Sequence, residues 1–128
     1  AVQDTLGHVP AAAVPEIAHA LNLTRAEVHG VVTYYHHFRS TAPGKHVIQV
    51  CRAEACQSCG SEELWALAEK LLGCKGHETS ANGMYSLEPV YCLGLCASSP
   101  AVQIDDTLHA RVNEAKLTRL VKSLEAAA

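Results

Sequence analysis

Apolar residues recur along this chain with two periods. Through residue 40 the spacing is helical. Val14, Ile17, Ala18 and Leu21 stand at i, i+3, i+4 and i+7, one face of a helix. Pro15 inside that run would remove a backbone hydrogen bond, so the helix is expected to begin near it. Thr24-Arg-Ala-Glu27 is a capping box, in which the Thr24 hydroxyl accepts from the third backbone N–H and Glu27 reaches back. The helix it opens carries Val28, Val31, Val32 and Tyr35 as its stripe. Gly30 lowers helix propensity there and points to close packing against the backbone.

Ser40-Thr-Ala-Pro-Gly44 breaks this pattern. Beyond it the chain alternates between strand and helix. His46–Cys51 reads as a strand. Ser61–Leu72 reads as a helix, with Glu62 and Glu63 at its positive end, Gly73 as its stop, and Leu64, Leu67, Ala68 and Leu71 facing inward. Asn82-Gly83 marks a turn. Tyr85–Tyr91 reads as a strand in which Pro89 requires an edge or irregular position. Ala101–Ile104 and Leu108–Val112 read as two short strands joined at Asp105-Asp106. Asn113 caps a last helix with Leu117, Leu120, Val121 and Leu124 on its inner face. The order β-α-β-β-β-α predicts an α/β fold, helices packed on a short sheet.

Composition narrows the function. Of 128 residues, 48% are hydrophobic and 18% charged, which excludes general disorder. A net charge of -3 argues against nucleic acid and anionic membrane as partners. The scarcity of aromatics, four Tyr, one Trp and one Phe, argues against a base-stacking surface. No apolar run approaches the roughly 18 residues of a membrane span. No basic and apolar leader opens the sequence, so a cytoplasmic location is expected. Six cysteines in such a chain point to metal or redox chemistry before a disulfide framework.

Four of them form two pairs, Cys51-x4-Cys56 and Cys92-x3-Cys96, each beginning at the end of a predicted strand and running into a loop. If the two strands are neighbours, both loops meet at one end of the sheet. Four thiolates there suit a [2Fe-2S] cluster or a structural zinc ion. The x4 and x3 spacings favour the cluster. Gly94 allows backbone N–H groups to approach sulfur, and Leu93 and Leu95 offer shielding. Cys56-Gln-Ser-Cys59 is also the spacing of a thioredoxin-type dithiol, the main competing reading. On the cluster reading Cys59 packs at a helix start as a non-ligand, and Cys74 is a small buried hydrophobe. The eight histidines show no metal-binding spacing, and His36-His37, if helical, point about 100° apart. No phosphate- or dinucleotide-binding glycine motif occurs.

Val2-Gln-Asp-x-x-Gly7-x-Val-Pro10, Glu27-Val-His-Gly-Val31, Thr33-Tyr-Tyr35, Val50-Cys51-x4-Cys56 and Cys92-Leu-Gly-Leu-Cys96-x3-Pro100 together resemble the 24 kDa subunit family of respiratory NADH dehydrogenase. Relatives of that family serve NAD-reducing hydrogenases and soluble NAD-dependent formate dehydrogenases. Tyr35-His-His-Phe-Arg39 and Cys51-Arg-Ala-Glu-Ala-Cys56-Gln-Ser look most like the gamma subunit of the molybdenum formate dehydrogenase. The resemblance implies a helical docking arm over residues 1–44 and a thioredoxin-like [2Fe-2S] ferredoxin domain over 45–128. It implies Cys51, Cys56, Cys92 and Cys96 as cluster ligands. It also implies a partner subunit that binds FMN and NAD(H), and a larger molybdenum- and iron–sulfur-containing subunit in the full assembly. The chain itself would have no substrate site and would pass single electrons.

Overall fold

Val47, Ile48 and Val50 make His46–Cys51 a strand (β1), over the span its pattern predicts. The structure, a computed structural model, describes residues 1–127 and divides into two compact units, Ala1–Pro43 and a larger one starting at Gly44. Gly44 leads into β1 with no room for a side chain, since a Cβ there would lie 2.8 Å from the Tyr85 backbone.

The larger unit continues with helices α4 (Glu54–Ser58) and α5 (Ser61–Leu72), and strands β2 (Glu78–Thr79), β3 (Tyr85–Val90), β4 (Val102–Ile104) and β5 (Thr107–His109). It closes with helix α6 (Glu114–Ala126), where Asn113 accepts from the Lys116 N–H as the predicted cap. The strands form one sheet in the order β2-β3-β1-β4-β5. β1 and β3 are parallel, in register from His46 opposite Tyr85 to Cys51 opposite Val90. The other pairings are antiparallel. Helices α5 and α6 meet over a core in which Ile48, Leu87, Val102 and Leu117 are fully buried.

Several local expectations are corrected. The inner stripe of α5 is Ser61, Leu64, Trp65, Ala68 and Leu72, with Leu67 and Leu71 on its flanks. Trp65 brings more apolar surface into the core than either leucine, which sets the helix rotation. The predicted strand 108–112 is shorter and starts one residue earlier, because Arg111 has φ +48° and leaves the sheet. β2 has no apolar alternation and forms only by pairing with Ser86 and Leu87 of β3. Pro89 is tolerated because Val90 bonds toward β1 and Leu87 toward the β2 side. By alternation the Pro89 nitrogen turns away from β1, beyond the end of β2.

The smaller unit holds α1 (Val2–Leu6), which the sequence pattern did not reveal, then α2 (Val14–Leu21) and α3 (Arg25–Tyr34). The capping box forms as predicted, with the Glu27 N–H donating to Thr24 Oγ1 and the Thr24 N–H to Glu27. The stripe of α3 is weaker than expected. Val28 is buried, but Val31 is 46% exposed and Tyr35 lies beyond the helix end, 56% exposed. Nothing lies within 4 Å of a Cβ built on Gly30, so close packing is not its role. His36 and His37 follow the helix rather than belong to it. Among the described residues no helix is long and apolar enough to cross a membrane.

Candidate metal centre

The parallel pairing of β1 and β3 brings the two cysteine motifs to one edge of the sheet. Cys51 is the last residue of β1. Its N–H donates to the Ala101 carbonyl, and the N–H of Arg52 donates to the Val90 carbonyl. The strand end is thus fastened on both sides. Chain leaving β3 after Val90 passes Tyr91 and reaches Cys92 beside it. Cys56 stands on α4 rather than in the loop expected, and Cys96 begins a short 3₁₀ turn, Cys96–Ser98, that packs on α4.

All four predicted cysteines come together, in two pairs of different character. Cys51 and Cys56 are each 2% exposed and pack together in one buried cluster. Ala101 completes this small cluster, and Val90, Leu93 and Leu95 pack against it. Cys92 and Cys96 are exposed, with sulfurs 3.6 Å apart. Leu93 and Leu95 therefore shield the inner pair and leave the outer pair open. Cys59 ends α4, is exposed, and lies outside the group rather than packed as expected. Cys74 is buried in the main core, as predicted.

Backbone donors point at these sulfurs. The N–H groups of Ala53 and Leu93 serve Cys51, and that of Ala101 serves Cys56. The Gly94 N–H lies 3.4 Å from Cys92 Sγ, made possible by φ +75° at Gly94. Burial raises the Cys51 thiol above its ordinary pKa. Burial also pushes on Cys56, but the Ser99 hydroxyl, the Ala101 N–H and the Cys51 thiol together bring it below its ordinary value. The Cys96 thiol is raised by its hydrogen bond to Cys92 and by the other cysteines. Cys92 has φ +121°, a strained conformation for a residue with a Cβ. Such strain costs of order 1–3 kcal/mol and persists only where the surroundings enforce it. No sequence signal marks it.

The sulfurs fall into a buried pair and an exposed pair. Among the described residues, no three His, Cys, Asp or Glu side chains surround a point where a single ion could sit. Thiolates alone are the donor set of a [2Fe-2S] cluster.

The family model for thioredoxin-like [2Fe-2S] ferredoxin matches residues 1–125. The chain belongs to this family. It is 35% identical over 121 residues to an NADH-quinone oxidoreductase subunit of Rhizobium meliloti (strain 1021), covering 94% of this chain and 72% of that one. It is 33% identical over 121 residues to an NADH-quinone oxidoreductase subunit of Escherichia coli (strain K12), covering 94% and 73%. The fold matches the crystal structure of an NAD+-reducing [NiFe]-hydrogenase in the air-oxidized state, with TM-score 0.80 and 20% identity. That alignment covers 98% of this chain and 22% of the hydrogenase chain, so this thioredoxin-like ferredoxin spans about a fifth of it.

One further side chain fixes the ferredoxin's sulfur-bearing edge. Arg52, next to Cys51, donates from Nε and Nη2 to the two Glu62 oxygens, at 3.0 and 2.7 Å, and its guanidinium carbon lies 4.8 Å from the Trp65 ring centroid. This clamp ties the end of β1 to the first turn of α5. Its hydrogen bonds and charge hold the Glu62 carboxyl below the ordinary value of 4.5. A carboxylate depressed in the folded chain adds stability above its ordinary pKa, and that gain is lost as pH falls through the lower folded value. Glu62→Gln is therefore expected to melt below wild type at about pH 7, with the gap closing in acid below 4.5. Melting curves across that range check it, and a gap independent of pH would contradict the clamp.

Proposed function

We propose that this chain is the one-electron carrier subunit of an NADH-dehydrogenase-type oxidoreductase, with Cys51, Cys56, Cys92 and Cys96 as ligands of one [2Fe-2S] cluster. The observation that carries this reading is the meeting of two cysteine pairs at the ends of adjacent parallel strands. When bound, such a cluster supplies a single-electron acceptor and donor, near about -400 mV in plant-type ferredoxins.

The chain's own residues divide the work. Cys51 and Cys56, with Leu93 and Leu95 over them, form an inner half from which water is excluded. Backbone N–H groups offset thiolate charge there. Cys92 and Cys96 form the exposed half, where electrons are exchanged with a partner. The two-electron chemistry of NAD(H) belongs to a flavin on that partner subunit, which binds FMN and NAD(H) and trades single electrons with this chain.

The parent complex we favour is a soluble NAD-dependent formate dehydrogenase, whose assembly adds a larger molybdenum- and iron–sulfur-containing subunit. The residues between and after the first cysteine pair, Arg52-Ala-Glu-Ala and Gln57-Ser, support that choice. The relatives from NADH-quinone oxidoreductases support a respiratory parent instead. A thioredoxin-type dithiol is disfavoured because Cys56, its attacking residue, is buried and turned toward Cys51 and Ser99, while Cys59 lies outside.

Anaerobically purified protein is expected to be red-brown, with about two iron and two sulfide per chain. Alanine at any one of Cys51, Cys56, Cys92 or Cys96 is expected to reduce the visible absorption at least severalfold. Cys59→Ser and Cys74→Ser are expected to retain it. A colourless protein containing zinc, or loss of iron in Cys59→Ser, overturns the ligand set.

The helical unit is the proposed docking element for the flavin subunit. Leu6, Leu21, Leu23, Val31, Tyr34 and Tyr35 are all exposed there. Interfaces are enriched in aromatic side chains such as Tyr34 and Tyr35. Deletion of residues 1–40 is expected to leave a coloured cluster domain whose affinity for the flavin subunit is at least tenfold weaker. Unchanged affinity in a titration with that subunit would refute the docking role.

A further inference from the structure

Ser99 stands where the two cysteine loops meet. It follows the Cys96–Ser98 turn in extended conformation, at φ -66° and ψ 155°. Its Oγ is 3.4 Å from Cys56 Sγ and 2.8 Å from the Cys96 carbonyl oxygen. One hydroxyl thus touches a sulfur supplied by the β1 side and the backbone supplied by the β3 side.

With Cys56 as a thiol, its S–H donates to Ser99 Oγ and the Ser99 hydroxyl donates to the Cys96 carbonyl. A metal-bound Cys56 is a thiolate and has no proton to give. The contact then requires the Ser99 hydroxyl to turn from the carbonyl onto the sulfur. A hydrogen bond to an ionised acceptor is roughly twice as strong as one to a neutral carbonyl, so this rotation is favourable. Among the described residues, the other hydrogen bonds reaching the four sulfurs from outside the group come from backbone N–H groups of Ala53, Leu93, Gly94 and Ala101. Ser99 is the donor a side-chain substitution can remove.

We propose that Ser99 is a positioning residue whose hydroxyl donates to Cys56 Sγ in the cluster-loaded protein and holds the reduction potential up. The inference rests on the ligand set proposed above. Adding one electron increases negative charge on the ligand sulfurs. An O–H donor then stabilises the reduced state more than the oxidised state. Because Cys56 belongs to the buried pair, water is poorly placed to replace the lost donor.

The test is a redox titration of the holoprotein, with dithionite as the electron source and EPR of the reduced cluster as the readout. Ser99→Ala is expected to bind iron and sulfide as wild type does but to titrate at a more negative potential. The expected loss is about threefold or more in the one-electron reduction equilibrium, or about 28 mV at 59 mV per decade. Ser99→Thr, which keeps the hydroxyl, is expected to restore the wild-type value. Ser99→Val, nearly the same shape without the hydroxyl, is expected to behave as Ser99→Ala. A loaded Ser99→Ala at the wild-type potential overturns the proposal, as do Thr and Val variants that titrate alike. Should Ser99→Ala fail to assemble, the Thr and Val pair decides. If Thr also fails, or if both assemble with one potential, the hydroxyl has no such role. A wild-type protein without iron and sulfide instead sinks the cluster reading itself, and the two failures are distinguishable.

Discussion

Everything at this site depends on two strands running parallel side by side and stopping together. β1 and β3 are in register to their last residues, Cys51 opposite Val90. Parallel neighbours expose their chain ends at the same sheet edge, so the segments that follow are delivered to one place. An antiparallel pairing would send the two cysteine motifs to opposite edges. The crossover between β1 and β3 is therefore part of the site. Helix α5, packed over Ile48, Val50 and Leu87 through Leu64, Trp65 and Ala68, holds the parallel pair together. Such pairs need a crossover connection, and here a helix supplies it.

With the proposed ligand set, the electrostatic problem is a concentrated anion at a protein edge. The fold meets it with short-range dipoles more than with charge. Backbone N–H groups of Ala53, Leu93, Gly94 and Ala101 face sulfur. Arg52, the cation next to Cys51, is bound by both oxygens of Glu62. Its role is to fix the strand end against α5. The left-handed backbone at Cys92 belongs to the same arrangement. Leu93 and Leu95, which follow it along the chain, pack on the buried cysteine pair.

Much of this was legible in the sequence, for local reasons. β1 and α5 appear over their predicted spans because local signals agree: a short run rich in β-branched apolar residues in one, Gly73 as the stop of the other. The meeting of the two cysteine pairs followed from their positions just past strand ends. Features set by distant contacts were not legible. β2 is two polar residues that become a strand only beside β3. Periodicity alone did not choose Trp65 over Leu71 as a core residue, because side-chain volume decides that. The φ of Cys92, the hydroxyl of Ser99 on Cys56, and the Arg52–Glu62 clamp each join segments whose approach depends on the finished fold.

The central claim, proposed above, is that the two cysteine pairs together hold one [2Fe-2S] cluster. Mössbauer spectroscopy of the iron-57-enriched, one-electron-reduced chain tests it most directly. The account predicts two sulfur-coordinated iron sites in equal amounts, one ferrous and one ferric. A single iron environment per chain, or a chain that takes up zinc and no iron, would contradict it.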